Sequence, residues 1–508
     1  MSIILKLLHL TVSTSLITPL STCALVGTRR NPPAWPNIPG ELGILFNNLD
    51  SSDIAGCLLQ TAGILALAED LAYKPMPVIA DNIVTFGSET ALPILHSKRL
   101  YDTLDSLIKE GPINIVYELI TLLAQHQIQF PPKYLPLLLD SAIKNPLLAN
   151  LIAKLPGSRH HWLIRLNPAW QSLQLLNTEI TRQDTNLLEE GNKQERIAAY
   201  KNLRSTDPGQ ARLWLTDTLP QMAAKERQEF VTILWNGLSK ADTELLTKLL
   251  QDRSKLVKQL ASKMLSCLPE SEFAQQIGSY LGSMVQLKQH RLKTKLLIEP
   301  PDSFVNAWSY TTIEAQPPTG EGARAFWLRQ IVSLTYLDWW EQNLNMAPDT
   351  ILDLCNKSDW TESLMWGLFQ ATLTQRNSNW ALAFFKAKSI KPALDKASLI
   401  NIADSNAVEG FLTEQLANCS NLSKLLKILQ QAMLLSNWSE AFSLSIIENL
   451  QPHSDSLNTY RNVTLHLHPN CLKLAASLVD TDTVNDYSNT FLQTLNLRLL
   501  IHQEILTQ

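Results

Sequence analysis

The run Asp252-Arg253-Ser254-Lys255-Leu256-Val257-Lys258-Gln259-Leu260-Ala261-Ser262-Lys263-Met264-Leu265 decides the fold class. Its apolar residues Val257, Leu260, Ala261, Met264, Leu265 and, one turn further, Leu268 recur at helical spacing and make a single stripe. A helix this short is marginal in water by itself, so the stripe needs neighbours to cover it. Those neighbours lie in the same stretch, 226–269. Phe230, Val231, Leu234, Trp235 and Leu238 line one face of an earlier helix, and Leu245, Leu246, Leu249 and Leu250 supply the stripe of another. Ser239-Lys240-Ala241-Asp242 between them has the form of a capping box. One such unit cannot bury its own apolar face, so the chain on both sides is expected to be helical too.

Working outward, the same spacing predicts helices over 1–28, 52–73, 91–109, 113–127, 133–155, 194–203, 210–222 and 225–238. They are punctuated by Pro32, Pro33, Pro36 and Pro39, by Lys74-Pro75-Met76-Pro77, by Gly111-Pro112 and by Pro131-Pro132. No alternation of period two over four or more residues stands out, which makes the chain all-α. The array of helical hairpins is α-solenoid-like and partly irregular. Pro300-Pro301 and Pro317-Pro318-Thr319-Gly320-Glu321-Gly322 bracket a stretch of weak periodicity. The expected organisation is a first helix and Pro-rich connector over 1–40, a helical array over 41–295, a linker over 296–322 and a helical region over 323–508. In the last, Asn379-Trp380 and Asn437-Trp438 are each followed by a Phe four residues after the Trp.

Composition narrows the function classes. With 43 basic against 47 acidic residues the net charge is -4, which gives no general attraction to nucleic acid or an anionic membrane. At 45% hydrophobic and 18% charged, 508 residues carry enough apolar surface to fold. Cys23, Cys57, Cys267, Cys355, Cys419 and Cys471 are scattered without a C-x-x-C pair, the pattern of free thiols in a reducing, cytoplasmic setting. Lys6 and the apolar run to Ala24 imitate a signal peptide, but His9, Thr11, Ser13, Thr14, Ser15 and Thr18 interrupt it, and an amphipathic first helix is expected instead. No other segment approaches the ~20 continuous apolar residues of a membrane span.

Candidate sites are few. Arg159, Trp162, Arg165 and Trp170 form a dense polar and aromatic passage, and Arg324, Trp327 and Arg329 lie in a second tryptophan-rich segment. Arg and Trp dominate interface hot spots, so both groups are candidate partner-binding residues, with packing between helices as the alternative. His160 and His161, adjacent on a helix, point about 100° apart and share a metal poorly. Lys288, His290, Arg291, Lys293 and Lys295 make the most basic short run, read as a solvated helix face that could touch phosphate. His466-x-His468-x-x-Cys471 has ligand types at close spacing but shows no fourth ligand, and Pro469 breaks a helix there. Gly320-Glu321-Gly322 precedes a helix whose start could hold an anion, although Glu321 would repel one. No phosphate-binding loop, dinucleotide fingerprint or nucleophile elbow is present, and no cofactor is implied.

Four passages, Ala24-Leu25-Val26-Gly27-Thr28-Arg29-Arg30, the Arg159 to Trp170 segment, 242–269 and Pro317 to Leu328, carry a resemblance. In this order and spacing they resemble a bacterial family whose members carry a domain of unknown function with a HEAT-like segment. The Asp, Val-Lys, Ala and Leu spacing of 252–265 resembles the second helix of a HEAT-type repeat. The likeness runs from about residue 16 to about residue 400. It implies genes encoded beside a SWIM-type zinc-finger protein, a MoxR-type AAA+ ATPase and a von Willebrand A-domain protein, hence an accessory role in such an assembly. The expectation is a non-enzymatic helical scaffold or adaptor for protein–protein interaction. A helical-repeat nucleic-acid-binding protein is the alternative, and a metal-dependent hydrolase built on the histidines comes last.

Overall fold

The computed structural model describes residues 17–28, 41–71, 92–170, 173, 185–290, 293–387, 394–419, 421–451, 462–478 and 486–507. The chain divides into two compact units, Met1–Gly87 and Ser88–Gln508. It is mostly helical, with one small two-stranded sheet among the described residues.

In the first unit, α1 (Ile17–Val26), α2 (Glu41–Asn47) and α3 (Ile54–Leu71) are described. α1 packs on α3, and the buried residues are Leu20 and Cys23 on one, Cys57, Thr61 and Leu65 on the other. Asp53 opens α3, its Oδ1 accepting the Gly56 N–H at 3.0 Å. Residues 1–16 of the expected first helix, the prolines at 32, 33, 36 and 39, and the stop signal at 74–77 lie outside the described residues.

The second unit begins with α4 (Lys98–Glu110), α5 (Ile113–Gln125), α6 (Leu135–Ile143), α7 (Pro146–Ile152) and α8 (Arg159–Leu166). Leu104, Leu119, Leu138, Leu148 and Ile164 belong to their common core. The single helix expected over 133–155 is two. Pro146 cannot donate its nitrogen into a continuing ladder, and Asn145 instead caps α7 by accepting the Leu148 N–H at 3.1 Å.

A second core starts with α9 (Thr185–Glu190), α10 (Lys193–Thr206), α11 (Pro208–Thr218), α12 (Ala224–Ile233), α13 (Thr243–Leu249), α14 (Lys255–Leu265) and α15 (Glu272–Gly282). α10 packs on α11 and α12, α12 and α13 pack on α14, and α14 packs on α15. The apolar stripe of 257–268 is interior: Val257, Ala261, Met264 and Leu265 are buried, with Leu260 and Leu268 packed against the same core. The Ser239–Asp242 capping box is present, although it opens a short 3-10 turn that leads into α13.

Next comes a hairpin, β1 (Val285–His290) and β2 (Lys293–Ile298), antiparallel with Val285 opposite Ile298 and Lys288 opposite Lys295. Lys288, His290, Lys293 and Lys295 of the basic run therefore lie on strands and not on the helix face the spacing suggested, while Arg291 lies outside the described residues. Leu296 and Ile298 are buried and Val285 and Leu287 half-buried, whereas Gln286, Lys288 and Lys295 are exposed. The alternation is present, but it is short and crowded with Lys, which lets it pass for solvated helix.

The 296–322 stretch packs where a linker was expected. Trp308 and Ile313 are buried, Glu314 donates its N–H to Gln330 Oε1 at 2.9 Å, and Trp327 Nε1 donates to the Ala315 carbonyl at 2.9 Å. These bonds strap the stretch to α16 (Ala323–Leu334).

The remainder comprises α17 (Leu337–Leu344), α18 (Pro348–Cys355), α19 (Thr361–Gln375), α20 (Ser378–Lys386), α21 (Ser405–Ala417), α22 (Leu422–Ala432), α23 (Glu440–Leu450), α24 (Leu472–Ala476) and α25 (Asp486–Leu506). α16 and α19 touch at Gly367, where a Cβ would meet Val332 Cβ at 2.7 Å and the Arg329 carbonyl oxygen at 3.0 Å. α25 contributes Phe491 and Leu495 to the second core and Ile501 and Ile505 to the first. No described helix is long and apolar enough to cross a membrane.

Candidate functional site

Two buried arginine–aspartate pairs set the position of α14. Arg204 on α10 makes a two-pronged contact with Asp242, Nη1 to Oδ1 at 2.8 Å and Nη2 to Oδ2 at 2.7 Å, and Nε donates to the Asn236 carbonyl at 2.9 Å. Gly237, whose φ of +67° is a conformation that side chains disfavour, presents its carbonyl to the same guanidinium at 3.0 Å. Arg227 on α12 grips Asp252 in the same manner, both contacts at 2.9 Å, and Nη1 donates to the Met222 carbonyl at 2.8 Å. Asp252 also accepts the Ser254 N–H at 2.7 Å, which fixes the turn leading into α14. Burial by itself would raise the carboxyls of Asp242 and Asp252. The arginine hydrogen bonds, a backbone N–H and the arginine charges outweigh it and hold both below the usual value.

At the start of α14 this framework leaves a concave groove of about 290 Å³. One wall is Arg253, Lys255, Lys258 and Gln259, and the other is the strap at 311–314. Three cations face one carboxylate, Glu314. Glu314 Oε1 accepts from Lys255 Nζ at 2.8 Å and from Gln259 Nε2 at 3.0 Å. Lys258 has no ion-pair partner among the described residues, and Arg253 donates to the Met222 carbonyl at 3.4 Å and adds its charge to that of Arg227 on Asp252. α14 carries no acidic residue in its first turn, and Ser254 makes no side-chain cap, so the positive end of the helix adds to the lysines. Leu256, beside them, is 55% exposed.

A family model described as a family of unknown function, DUF5691, matches residues 19–505. The chain belongs to DUF5691. No curated protein and no solved structure matches it.

In this DUF5691 chain the residues singled out from sequence are distributed as follows. Trp170 and Trp327, 7% and 5% exposed, are core residues and not surface anchors. Each buries its ring and satisfies its indole N–H inside, Trp170 on Asp140 Oδ1 at 2.7 Å and Trp327 on the Ala315 carbonyl. Arg165 is exposed, while Arg159 and Trp162 are partly covered on α8. Arg324 donates to the Pro300 carbonyl, sits 3.1 Å from Asp302 and lies over the Trp360 ring at 5.5 Å. Arg329 pairs with Glu321 at 2.7 Å and lies over Trp366 at 4.8 Å, so the carboxylate at the start of α16 is already engaged. α8 packs on α6, whereas α16 packs on α15 and α19, so the two groups do not form one surface.

The histidines hold structure. His160 is 2% exposed, its ring 3.9 Å from that of His161. Burial first, and the neighbouring His161 charge second, push its pKa down to about 3. His466 stacks on Trp438 and bonds the Leu435 carbonyl at 3.0 Å, and His468 caps the turn before Cys471. No cluster of three or more His, Cys, Asp or Glu suited to a metal occurs among the described residues. The groove was not singled out from sequence because its walls lie some 55 residues apart. Its one local sign was a helix start with Arg and Lys and no acid.

Proposed function

We propose that the chain is a helical scaffold, a HEAT-like α-solenoid array of short helices, that binds another protein. The observation that supports this reading best is the groove at the start of α14, a concave, net-basic surface on a chain of net charge -4. The interior polar groups of this region, Arg204, Arg227, Asp242 and Asp252, are used to hold helices in place. That is what a rigid platform requires. An accessory role beside a MoxR-type AAA+ ATPase and von Willebrand A-domain or SWIM zinc-finger proteins is the partner setting the sequence resemblance implies, the scattered cysteines favour the cytoplasm, and we carry both as part of this proposal.

The test is capture of tagged full-length chain from its native host, followed by cross-linking of the purified complex. A partner recovered in fixed ratio, with cross-links on Lys255 or Lys258, supports the scaffold reading. A chain recovered alone at every salt concentration overturns it. One observation favours a second reading. Lys288 and Lys295 stand opposite each other on the exposed side of the hairpin, and Asp359, 4.0 Å from Lys295, offsets only one of the two charges, which leaves a place for an external anion. If that anion is nucleic acid, binding to short strands weakens steeply with salt.

A further inference from the structure

We infer that the groove between α14 and the 311–314 strap receives an acidic segment of a partner protein, a carboxylate flanked by apolar side chains, and that Glu314 holds the carboxylate's place until the segment displaces it. This deepens the scaffold reading and rests on it. The groove already recognises a carboxylate: Lys255 at 2.8 Å and Gln259 at 3.0 Å converge on a single Glu314 oxygen. Charge-assisted bonds of this kind are short and about twice as strong as neutral ones. The recognition is incomplete, because Lys258 lines the same groove with no carboxylate partner among the described residues, and Arg253 shares Asp252 with Arg227, which holds both of its oxygens. Ile313 supplies an apolar wall.

Two features favour a peptide over a nucleic acid. Among the described residues the lining has no aromatic ring on which a base could stack. At about 290 Å³ the groove lies at the small end of ligand sites, roughly 300–1,000 Å³, suited to a few side chains. Glu314 is also anchored through its backbone to Gln330, with its N–H on Oε1 at 2.9 Å, so its side chain can swing away while the strap stays put.

The experiment uses the full chain and a fluorescent short peptide of alternating Glu and Leu, with a Gln-and-Leu peptide as the uncharged control, read by anisotropy. The Glu peptide is expected to bind and the Gln peptide to bind at least tenfold more weakly. The double variant Lys255→Glu with Lys258→Glu should weaken Glu-peptide binding at least tenfold, and Glu314→Gln should tighten it several-fold by removing the internal competitor. A purely structural role for these residues would not give changes of opposite sign. Equal binding of the two peptides, or a Glu314→Gln chain that binds no more tightly than the parent, overturns the inference. So does a short DNA strand or inorganic phosphate that binds more tightly than the Glu peptide and is lost in the double variant. If the double variant does not fold, the Glu314→Gln arm decides alone. A captured partner that still binds the double variant leaves the scaffold reading standing and removes the groove. Peptide binding as expected with no partner ever captured does the reverse.

Discussion

Arg204 is a buried cation with its partners in place. Asp242 takes two of its donors and the backbone carbonyls of Asn236 and Gly237 take others, and Arg212 lies 3.3 Å from the same aspartate. An unbroken pair of this kind is weak evidence of net stability, but breaking it strands a charge. Asp242→Asn should lower stability at neutral pH by on the order of 3–5 kcal/mol. The sign of the pH dependence follows from the lowered carboxyl. Its stabilising effect is complete above the unfolded-state value of about 3.9 and is lost as pH falls through the lower folded-state value. Thermal melts of parent and variant should therefore converge below about pH 4; a gap that stays constant down to acid pH would contradict this. His160 acts over a different window. Above about 6.5 it is neutral whether folded or not, and as pH falls from there the unfolded chain takes up a proton that the folded chain refuses until about 3. Stability should fall across that window, and His160→Leu should flatten the fall between pH 6.5 and 4, measured as melting temperature against pH.

At the scale of elements, the α16–α19 crossing depends on one missing methyl group. An alanine at Gly367 would place its Cβ against the branched Cβ of Val332 and the Arg329 carbonyl, neither of which can rotate aside. Overpacking of this sort costs about 1–3 kcal/mol, against up to about 1 kcal/mol gained in helix propensity. Gly367→Ala should be net destabilising in denaturant melts, and an increase in stability would mean the helices can separate. Much at this scale was legible. The spacing of Val257, Ala261, Met264 and Leu265 located the buried face of α14, and Ser239 with Asp242 located a real cap. What was not legible has physical causes. Hairpin strands of six residues, loaded with lysine, show too little alternation to register as strands. Proline pairs around 300 and 317 suggest an extended connector, and bonds from α16, with Lys255 and Gln259 of α14, turn that stretch into a packed strap. Trp170 and Trp327 looked like surface anchors because sequence does not show the internal acceptors their indole groups have found.

Across the molecule, the hydrogen bonds of largest sequence separation among the described residues join Glu118 on α5 to Arg498 and His502 on α25. Both carboxylate oxygens accept from Arg498 at 2.7 Å, His502 Nε2 lies 2.7 Å from one of them, and Arg498 Nη1 donates to the Thr464 carbonyl at 2.6 Å. Burial alone would raise the Glu118 carboxyl, but the hydrogen bonds and charges of His502 and Arg498 outweigh it and lower it. Glu118→Gln should reduce amide-exchange protection in α5 and α25 together; loss in α25 alone would show that α5 does not depend on the contact. No local pattern announces such a pairing, because Glu118 and Arg498 each read as an ordinary charge on an amphipathic helix. The contact also bears on how the polypeptide is made. The core around α4 to α8 includes Ile501 and Ile505, residues translated some 380 positions after Glu118. A ribosome adding about 5–20 residues per second leaves that core without its last helix for tens of seconds. During that interval the surface α25 will cover is open, and an emerging chain stalled before residue 486 should be a better substrate for holding chaperones than the finished protein.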